Sequence, residues 1–330
     1  MGIIQKKYEE YKSLIDDRIK SLCKDLEPKS LYLPISYILD GGGKRIRPIL
    51  LMFCCEAVGG NSINALNAAL AVEILHNFTL VHDDIMDNAD SRRGRKTIHN
   101  KWDVNVAILS GDNMVGLAYK ELLNTSSPRI SDIMMEFTNG IIEVCEGQSL
   151  DKDYETSENV TIEDYLLMID KKTSKLLETC AVIGALIGDS GNNLLLALRN
   201  YAHNLGIAFQ IQDDLLDITG DEKKFGKKIG GDLIEGKKTF LILKALELVN
   251  NESDRKKILE IITNKGIKTN NDGIINEIKL IYEKYGVINS TRQEVERYTK
   301  KAEEYISFFD NENSIEILKW FSKMLLARSF

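Results

Sequence analysis

Two acidic motifs of this chain share the pattern Asp-Asp-x-x-Asp. The first consists of Asp83, Asp84 and Asp87, and the second consists of Asp213, Asp214 and Asp217. On a helix, the outer aspartates of each motif lie on one face, about 6 Å apart, where like charges repel. Mg²⁺ would relieve that repulsion, since it prefers carboxylates together with substrate phosphates and waters. A single motif is more typical of a solvated helix end, and the repetition is what predicts a magnesium site.

Basic residues stand where they could bind the phosphates of such a substrate. Gly41-Gly42-Gly43 precedes Lys44, Arg45 and Arg47 at a helix start. Backbone N–H groups and basic side chains together favour anions there. A second basic cluster, Arg92 and Arg93, follows the first acidic motif. For the first segment, the alternative is a glycine helix cap followed by surface charges. For the second segment, the alternative is a solvated loop.

Helical periodicity through most of the chain positions these motifs at helix ends. Helices are predicted over 4–26, 48–58, 65–87, 104–123, 130–150, 162–187 and 194–218. Loops are predicted over 91–100 and 221–238. No shift in composition demands a second domain, so we expect one all-α domain over 1–330.

The bulk composition excludes several classes of protein. The formal net charge of −7 argues against a sequence-independent nucleic-acid binder. Five cysteines without a CxxC pair indicate a reducing compartment. The segment from Met1 to Asp16 is too charged for a secretory signal. No apolar run reaches the ~18–20 residues of a membrane span. A cytoplasmic protein is expected.

Several segments, in order, resemble the trans-isoprenyl diphosphate synthase family over nearly the whole length, most closely the archaeal-type geranylgeranyl and farnesyl diphosphate synthases. They are GGGKRIRP (41–48), HNFTLVHDDIMDNADSRRG (76–94), SGD (110–112), EGQSLD (146–151), KKTSKL (171–176), GIAFQIQDDLLDITGD (206–221) and FGKKIGGDLIEGKKT (225–239). The resemblance implies a single-domain bundle of antiparallel helices around a central cavity, assembled as a homodimer. The substrates it implies are small isoprenyl diphosphates.

The resemblance also implies roles for individual residues. Asp83, Asp87 and Asp213 would be the main ligands of three Mg²⁺ ions, which Mn²⁺ could replace, with Asp84, Asp214 and Asp217 in support. Isopentenyl diphosphate would be bound by Lys44, Arg47, His76 and Arg93. The allylic diphosphate would be bound by Arg92, Lys172, Thr173, Gln210, Lys227 and Lys237. Catalysis would depend on Lys172, Thr173 and Gln210, beside the allylic cation.

Three of these assignments have simpler alternatives. His76 lies in an apolar stretch and could be a buried core histidine with a satisfied hydrogen bond. Thr173 could bond a carbonyl of its own helix, and Gln210 could join two helices.

Product length is the least determined property. Phe78 stands five residues before Asp83, and in the family this aromatic acts as the floor of the chain tunnel. Thr79, however, lies one turn directly below Asp83, so the role of Phe78 rests on the resemblance. Leu75 and Val72 lie further down the helix. Farnesyl, geranylgeranyl and mixed products all stay open.

Two other functions share this fold. A terpene cyclase would carry an Asn/Ser/Glu-type second metal motif and would not need Lys44 and Arg47. A regulatory subunit of a synthase would lack some of the aspartates, whereas this chain keeps all six.

Overall fold

The computed structural model describes residues 2–157, 159–220, 229–263 and 272–327, and it confirms the predicted all-α class. The first helices are α1 Ile3–Leu22, α2 Lys29–Leu39, α3 Ile46–Ala57, α4 Leu66–Met86, α5 Ile98–Lys101, α6 Val104–Leu123, α7 Ile130–Thr156, α8 Ile162–Ile169 and α9 Lys175–Ile187. They are followed by α10 Asn192–Thr219, α11 Gly231–Glu235, α12 Phe240–Leu248, α13 Glu252–Thr263, α14 Asp272–Lys284, α15 Val287–Glu304 and α16 Glu312–Leu326. None of these described helices is long and apolar enough to cross a membrane.

The chain forms two compact units. Unit 1 contains 1–137, 180–196 and 311–318, and unit 2 contains 138–179, 197–310 and 319–330. Each unit holds one of the two acidic motifs. That the whole chain is a single domain stays a prediction.

Helix α4 is the centre of unit 1 and carries the first acidic motif at its C-terminal end. Every residue from Ala68 to Leu75 is buried, as expected of a helix segment that packs on all sides. It packs against α3 and α6. Gly111 of α6 permits the close approach, because a Cβ there would lie 2.2 Å from Nε2 of His82.

A short hairpin follows α4 where the sequence predicts a loop. Strand β1 (Ser91–Arg92) pairs antiparallel with β2 (Arg95–Lys96). Arg93 and Gly94 form the turn, with φ values of 52° and 71°. A type I′ hairpin turn requires positive φ at both of these positions. The hairpin therefore fixes Arg93 at a tight bend beside the acidic motif.

In unit 2, the helix predicted over 162–187 is interrupted. A π-helical turn, Asp170–Ser174, separates α8 from α9. Two glycines approach this turn closely. A Cβ on Gly147 would lie 2.3 Å from the backbone nitrogen of Lys172, and one on Gly206 would lie 2.6 Å from Cα of Ser174. The turn is therefore enclosed by α7 and α10, and π-turns of this kind are frequent at functional sites.

Candidate active site

The first acidic motif divides its three aspartates between the interior and the surface. Asp84 is 2% exposed, and its Oδ1 accepts a hydrogen bond from Nε of Arg92 at 2.7 Å. Burial raises the pKa of Asp84, and Arg92 opposes that rise. Asp83 is partly exposed and Asp87, at the end of α4, is exposed. Asp84 thus anchors the hairpin, while the outer two aspartates carry the accessible carboxylates.

The glycine-rich loop before α3 has the backbone that its sequence requires. Gly42 and Gly43 adopt φ values of 70° and 142°. L-residues with side chains avoid such values, and glycine adopts them readily. The carbonyl of Gly42 accepts a hydrogen bond from Nη1 of Arg93. The loop and the hairpin turn, two segments with predicted anion-binding residues, are therefore directly joined.

His76 and Arg47, both predicted to bind isopentenyl diphosphate, are in contact. Nη1 of Arg47 donates to Nε2 of His76 at 3.1 Å. Burial is the main cause that holds the pKa of His76 well below its ordinary value, and the positive charge of Arg47 is the second. The imidazole is therefore neutral, and it orients the guanidinium as a hydrogen-bond acceptor. The structure thus supplies a third role, besides substrate ligand and core histidine.

The residues considered for chain length point to different neighbours. The ring of Phe78 lies edge-on to the ring of His82, with 4.7 Å between centroids. The hydroxyl of Thr79 donates to the carbonyl of His76 at 2.9 Å, within its own helix. The ring of Phe78 is therefore held by a second ring on its own helix, whereas Thr79 is held by a backbone hydrogen bond.

In unit 2, the π-helical turn presents Lys172 and Thr173 on neighbouring positions. Nζ of Lys172 lies 2.5 Å from Oδ2 of Asp151 on α7. The hydroxyl of Thr173 donates to Oε1 of Gln210 at 2.9 Å. The bond between Thr173 and Gln210 therefore joins the π-helical turn to α10.

Asp214 connects this pair to the second acidic motif. Its Oδ1 accepts from Nε2 of Gln210 at 3.0 Å, and its Oδ2 accepts from the hydroxyl of Tyr165 at 2.6 Å and from the backbone N–H of Phe240 at 3.3 Å. Burial raises the pKa of Asp214 to about 8, with the charge of Asp232 adding to the rise. Both carboxylate oxygens are therefore engaged, as those of a positioning group would be.

The remaining members of the second motif are more accessible. Asp213 and Asp217 are partly exposed. Oδ2 of Asp217 also accepts from the backbone N–H of Asp232 at 3.1 Å, at the start of α11. Lys237 pairs with Glu235 at 2.5 Å. Lys227 lies outside the described residues.

The two motifs share one internal plan. In each, the middle aspartate, Asp84 or Asp214, is buried and hydrogen-bonded within its own unit, while its two companions are more accessible. Among the described residues, no group of three His, Cys, Asp or Glu side chains stands ready to hold a metal ion. Mg²⁺ fits such a donor set, because it is usually bound by one or two carboxylates with waters and substrate phosphates completing its shell.

Arg45 was predicted as part of the anion site before α3, but the structure buries it among side chains of the protein. Three further buried or partly buried residues escaped prediction. Asp151 lies in the quoted segment EGQSLD, which gave a signal for it. Glu73 was signalled by its place in an apolar helix. Tyr165 gave no signal, because a tyrosine on an amphipathic helix is ordinary.

Comparison with known proteins gives one consistent family. The family model for polyprenyl synthetase, whose members use a divalent metal with diphosphate substrates, matches residues 28–278. The chain is 33% identical to the short chain isoprenyl diphosphate synthase of Methanothermobacter thermautotrophicus over 99% of this chain and 98% of the relative. It is 44% identical to the geranylgeranyl diphosphate synthase of Methanosarcina mazei over 71% of this chain and 73% of the relative.

A solved structure agrees with the sequence relatives. A crystal structure of a geranylgeranyl pyrophosphate synthase matches with a TM-score of 0.91 and 38% identity, covering 100% of both chains. This match extends beyond the segment that the family model covers. The predicted family is confirmed, and the chain belongs to the polyprenyl synthetase family.

Proposed function

We propose that this protein is a prenyltransferase that condenses isopentenyl diphosphate with an allylic diphosphate, head to tail (1'-4), to give a short-chain trans-prenyl diphosphate. The observation that carries the proposal is the shared plan of the two acidic motifs. Each buries its middle aspartate on donors of its own unit and leaves two more accessible carboxylates. The relatives, which are short-chain and geranylgeranyl diphosphate synthases by name, support the same reaction.

The more accessible aspartates are the proposed metal ligands. Asp83 and Asp87 on α4, with Asp213 and Asp217 on α10, would hold Mg²⁺, three ions in all, with substrate phosphates and water as the other ligands. Held by these carboxylates, Mg²⁺ would supply positive charge that stabilises the leaving diphosphate. Asp84 and Asp214 would not bind the metal directly but would hold Arg92 and Gln210 in place through hydrogen bonds.

Two basic sets would bind the two diphosphates. The first set is Lys44, Arg47 and Arg93, and the neutral His76 fixes the guanidinium of Arg47 for bidentate binding of phosphate. This set is the proposed site for isopentenyl diphosphate. The allylic diphosphate is the proposed ligand of Arg92, Lys172, Lys227 and Lys237, as the family resemblance implies.

The reaction begins when the allylic C–O bond breaks and its electron pair leaves with the diphosphate. Charges fixed in advance, such as Lys172 held by Asp151, stabilise that departing anion without reorganisation. The hydroxyl of Thr173 donates to Oε1 of Gln210, and Nε2 of Gln210 donates to Asp214. These bonds hold both side chains in a fixed orientation, in which they would present oxygen dipoles to the allylic cation. The isopentenyl double bond then forms the new C–C bond, and a proton lost to the released diphosphate restores a double bond.

The proposed main product is geranylgeranyl diphosphate, with farnesyl diphosphate as a second product. The names of the archaeal relatives support it. So does the aromatic ring of Phe78, supported by His82 one turn along α4. A homodimer and a cytoplasmic location accompany this proposal as predictions from the sequence.

Incubation of the purified chain with labelled isopentenyl diphosphate, an allylic primer and Mg²⁺ tests the reaction. The proposal predicts labelled, longer prenyl diphosphates and released pyrophosphate. A cyclic hydrocarbon formed from the primer alone would indicate a terpene cyclase. No turnover of either kind by folded protein would indicate a regulatory subunit.

A further inference from the structure

Arg45 is a charged residue buried in unit 1. It is 4% exposed, although it stands in a loop between the exposed Lys44 and the partly exposed Arg47. A buried guanidinium is costly unless each of its donor groups finds a partner. The surroundings of Arg45 therefore indicate what its burial achieves.

Three separate helices supply those partners. Nε donates to Oδ1 of Asp16 on α1 at 2.8 Å, and Nη1 donates to Oε1 of Glu73 on α4 at 2.6 Å. Nη2 donates to the carbonyl of Leu39, the last residue of α2, at 3.0 Å. One side chain thus joins α1, α2 and α4 at a single point.

Glu73 is the buried counterion of this arrangement. It is 2% exposed in the apolar part of α4, and its Oε1 also accepts from Nδ2 of Asn77 at 3.1 Å. Glu73 and Asn77 lie one turn apart on the helix that carries His76 and the first acidic motif. The guanidinium of Arg45 therefore links the glycine-rich loop to the helix of the acidic motif.

The backbone at Arg45 adds to this constraint. Arg45 has φ 52° and ψ 39°. This left-handed conformation is uncommon for a residue with a side chain. Three glycines precede Lys44, two of them with positive φ, and glycine restricts the backbone less than any other residue. Fixing the side chain of Arg45 fixes the direction in which the chain leaves the loop and enters α3.

We propose that Arg45 is a positioning residue, which binds no substrate itself but holds Lys44 and Arg47 in register for the diphosphate of isopentenyl diphosphate. The inference rests on the proposed function, because it concerns the same reaction. Lys44 precedes Arg45 directly, and Arg47 lies in the first turn of α3, two residues beyond it. Displacement of the loop therefore moves both cations relative to His76.

The test compares steady-state kinetics of variants with varied isopentenyl diphosphate and with varied allylic diphosphate. Arg45→Met combined with Glu73→Gln removes the anchoring guanidinium without leaving a buried negative charge. Arg45→Lys keeps the charge but not the three directed contacts. Asp16→Ala removes only the contact from α1, at a partly exposed carboxylate, and so keeps the test available if the double variant does not fold.

Arg199→Met is the matched control. Nη1 of Arg199 pairs with Oε1 of Glu178, a carboxylate of a residue that is 4% exposed in unit 2. This variant also removes a cationic partner of a buried glutamate, on α9 and α10, although Glu178 keeps Lys175 as a second cationic partner.

We expect the KM for isopentenyl diphosphate to rise roughly tenfold or more in the double variant, the equivalent of at least one charge-assisted hydrogen bond. The KM for the allylic diphosphate and kcat should change less than about threefold. Arg45→Lys should be intermediate, Asp16→Ala should show a smaller rise in the same KM, and Arg199→Met should lose stability without this selective rise.

Two results would overturn the inference. One is an equal rise in both KM values, which means general damage to the fold. The other is an unchanged KM for isopentenyl diphosphate in every folded Arg45 or Asp16 variant. If the wild-type chain itself does not extend an allylic diphosphate, the proposed function fails instead, and the two failures are thereby separated.

Discussion

The hydroxyl of Tyr165 donates to the buried carboxylate of Asp214 at 2.6 Å, and this bond begins a chain that ends at the π-helical turn. Asp214 accepts from Gln210, and Gln210 accepts from Thr173. A tyrosine outside every motif of the sequence therefore supports the residues proposed to face the allylic cation. These hydrogen bonds join α8, α10 and the turn between α8 and α9.

Tyr165→Phe tests this support with the loss of one oxygen atom. The buried carboxyl group of Asp214 loses a hydrogen-bond donor and is left with an unsatisfied acceptor, so we expect the free energy of unfolding to fall by about 1–3 kcal/mol. We also expect kcat to fall roughly tenfold, because Gln210 and Thr173 lose their fixed orientation. Urea unfolding and steady-state kinetics measure the two effects. A variant with wild-type kcat would show that the chain of bonds is dispensable for turnover.

Gly147→Ala tests the enclosure of the π-helical turn. The added Cβ would meet the backbone nitrogen of Lys172 at 2.3 Å, a contact that only a backbone shift can relieve. We expect a loss of about 1–3 kcal/mol in the free energy of unfolding, together with reduced kcat.

Gly116→Ala is the control for that substitution, since nothing lies within 4 Å of its Cβ position on α6. A glycine-to-alanine change in an open helical position should be neutral or stabilising by about 0.4–1 kcal/mol. Equal behaviour of the two variants would mean that α7 does not press on the turn.

His76 makes stability depend on pH. Its pKa in the folded protein lies well below the 6.5 of an unfolded histidine, so between these values the unfolded chain binds more protons. The contribution of His76 is therefore complete above pH 6.5 and is lost as the pH falls below it, by up to about 1.4 kcal/mol per pH unit.

The difference in unfolding free energy between the wild type and His76→Gln, measured from pH 7.5 to 5.5, isolates the contribution of His76. We expect the wild type to lose more stability than the variant on acidification. Parallel curves for the two proteins would mean that the pKa of His76 is the same in the folded and unfolded states.

Phe78→Ser tests the proposed floor of the chain tunnel. If the ring stops chain growth by steric exclusion, its removal should shift the products beyond geranylgeranyl diphosphate in length. Thr79→Ser, which removes only one methyl group from a residue whose hydroxyl bonds its own helix, is the control. Chromatography of the dephosphorylated products measures the shift, and unchanged lengths in Phe78→Ser would remove Phe78 from this role.

The sequence was sufficient for the features that depend on local pattern. Helical periodicity predicted most helices, and the motif positions predicted the family. The interruption at 170–174 could not be predicted, because Asp-Lys-Lys-Thr-Ser is compatible with an ordinary helix and the π-turn depends on the glycines of α7 and α10. The hairpin at 91–96 was missed because its strands have only two residues each.

Buried polar contacts formed the other gap. Asp84 and Asp214 look like their neighbours in the sequence, and only distant partners such as Tyr165, 49 residues before Asp214, distinguish them. Arg45 likewise looks like Lys44 until Asp16 and Glu73 are placed around it. Pairings between residues far apart in the chain are set by packing, which no local pattern encodes.

The central claim is that carboxylates of both acidic motifs hold the Mg²⁺ that allows diphosphate to depart. The most direct measurement is turnover and the Mg²⁺ concentration dependence of Asp83→Asn and Asp213→Asn, with Asp17→Asn on the exposed face of α1 as control. Each of the first two should lose at least about a hundredfold in kcat, the magnitude of removing a key electrostatic stabiliser, and keep its unfolding transition. Wild-type rates and Mg²⁺ dependence in either folded variant would contradict the claim.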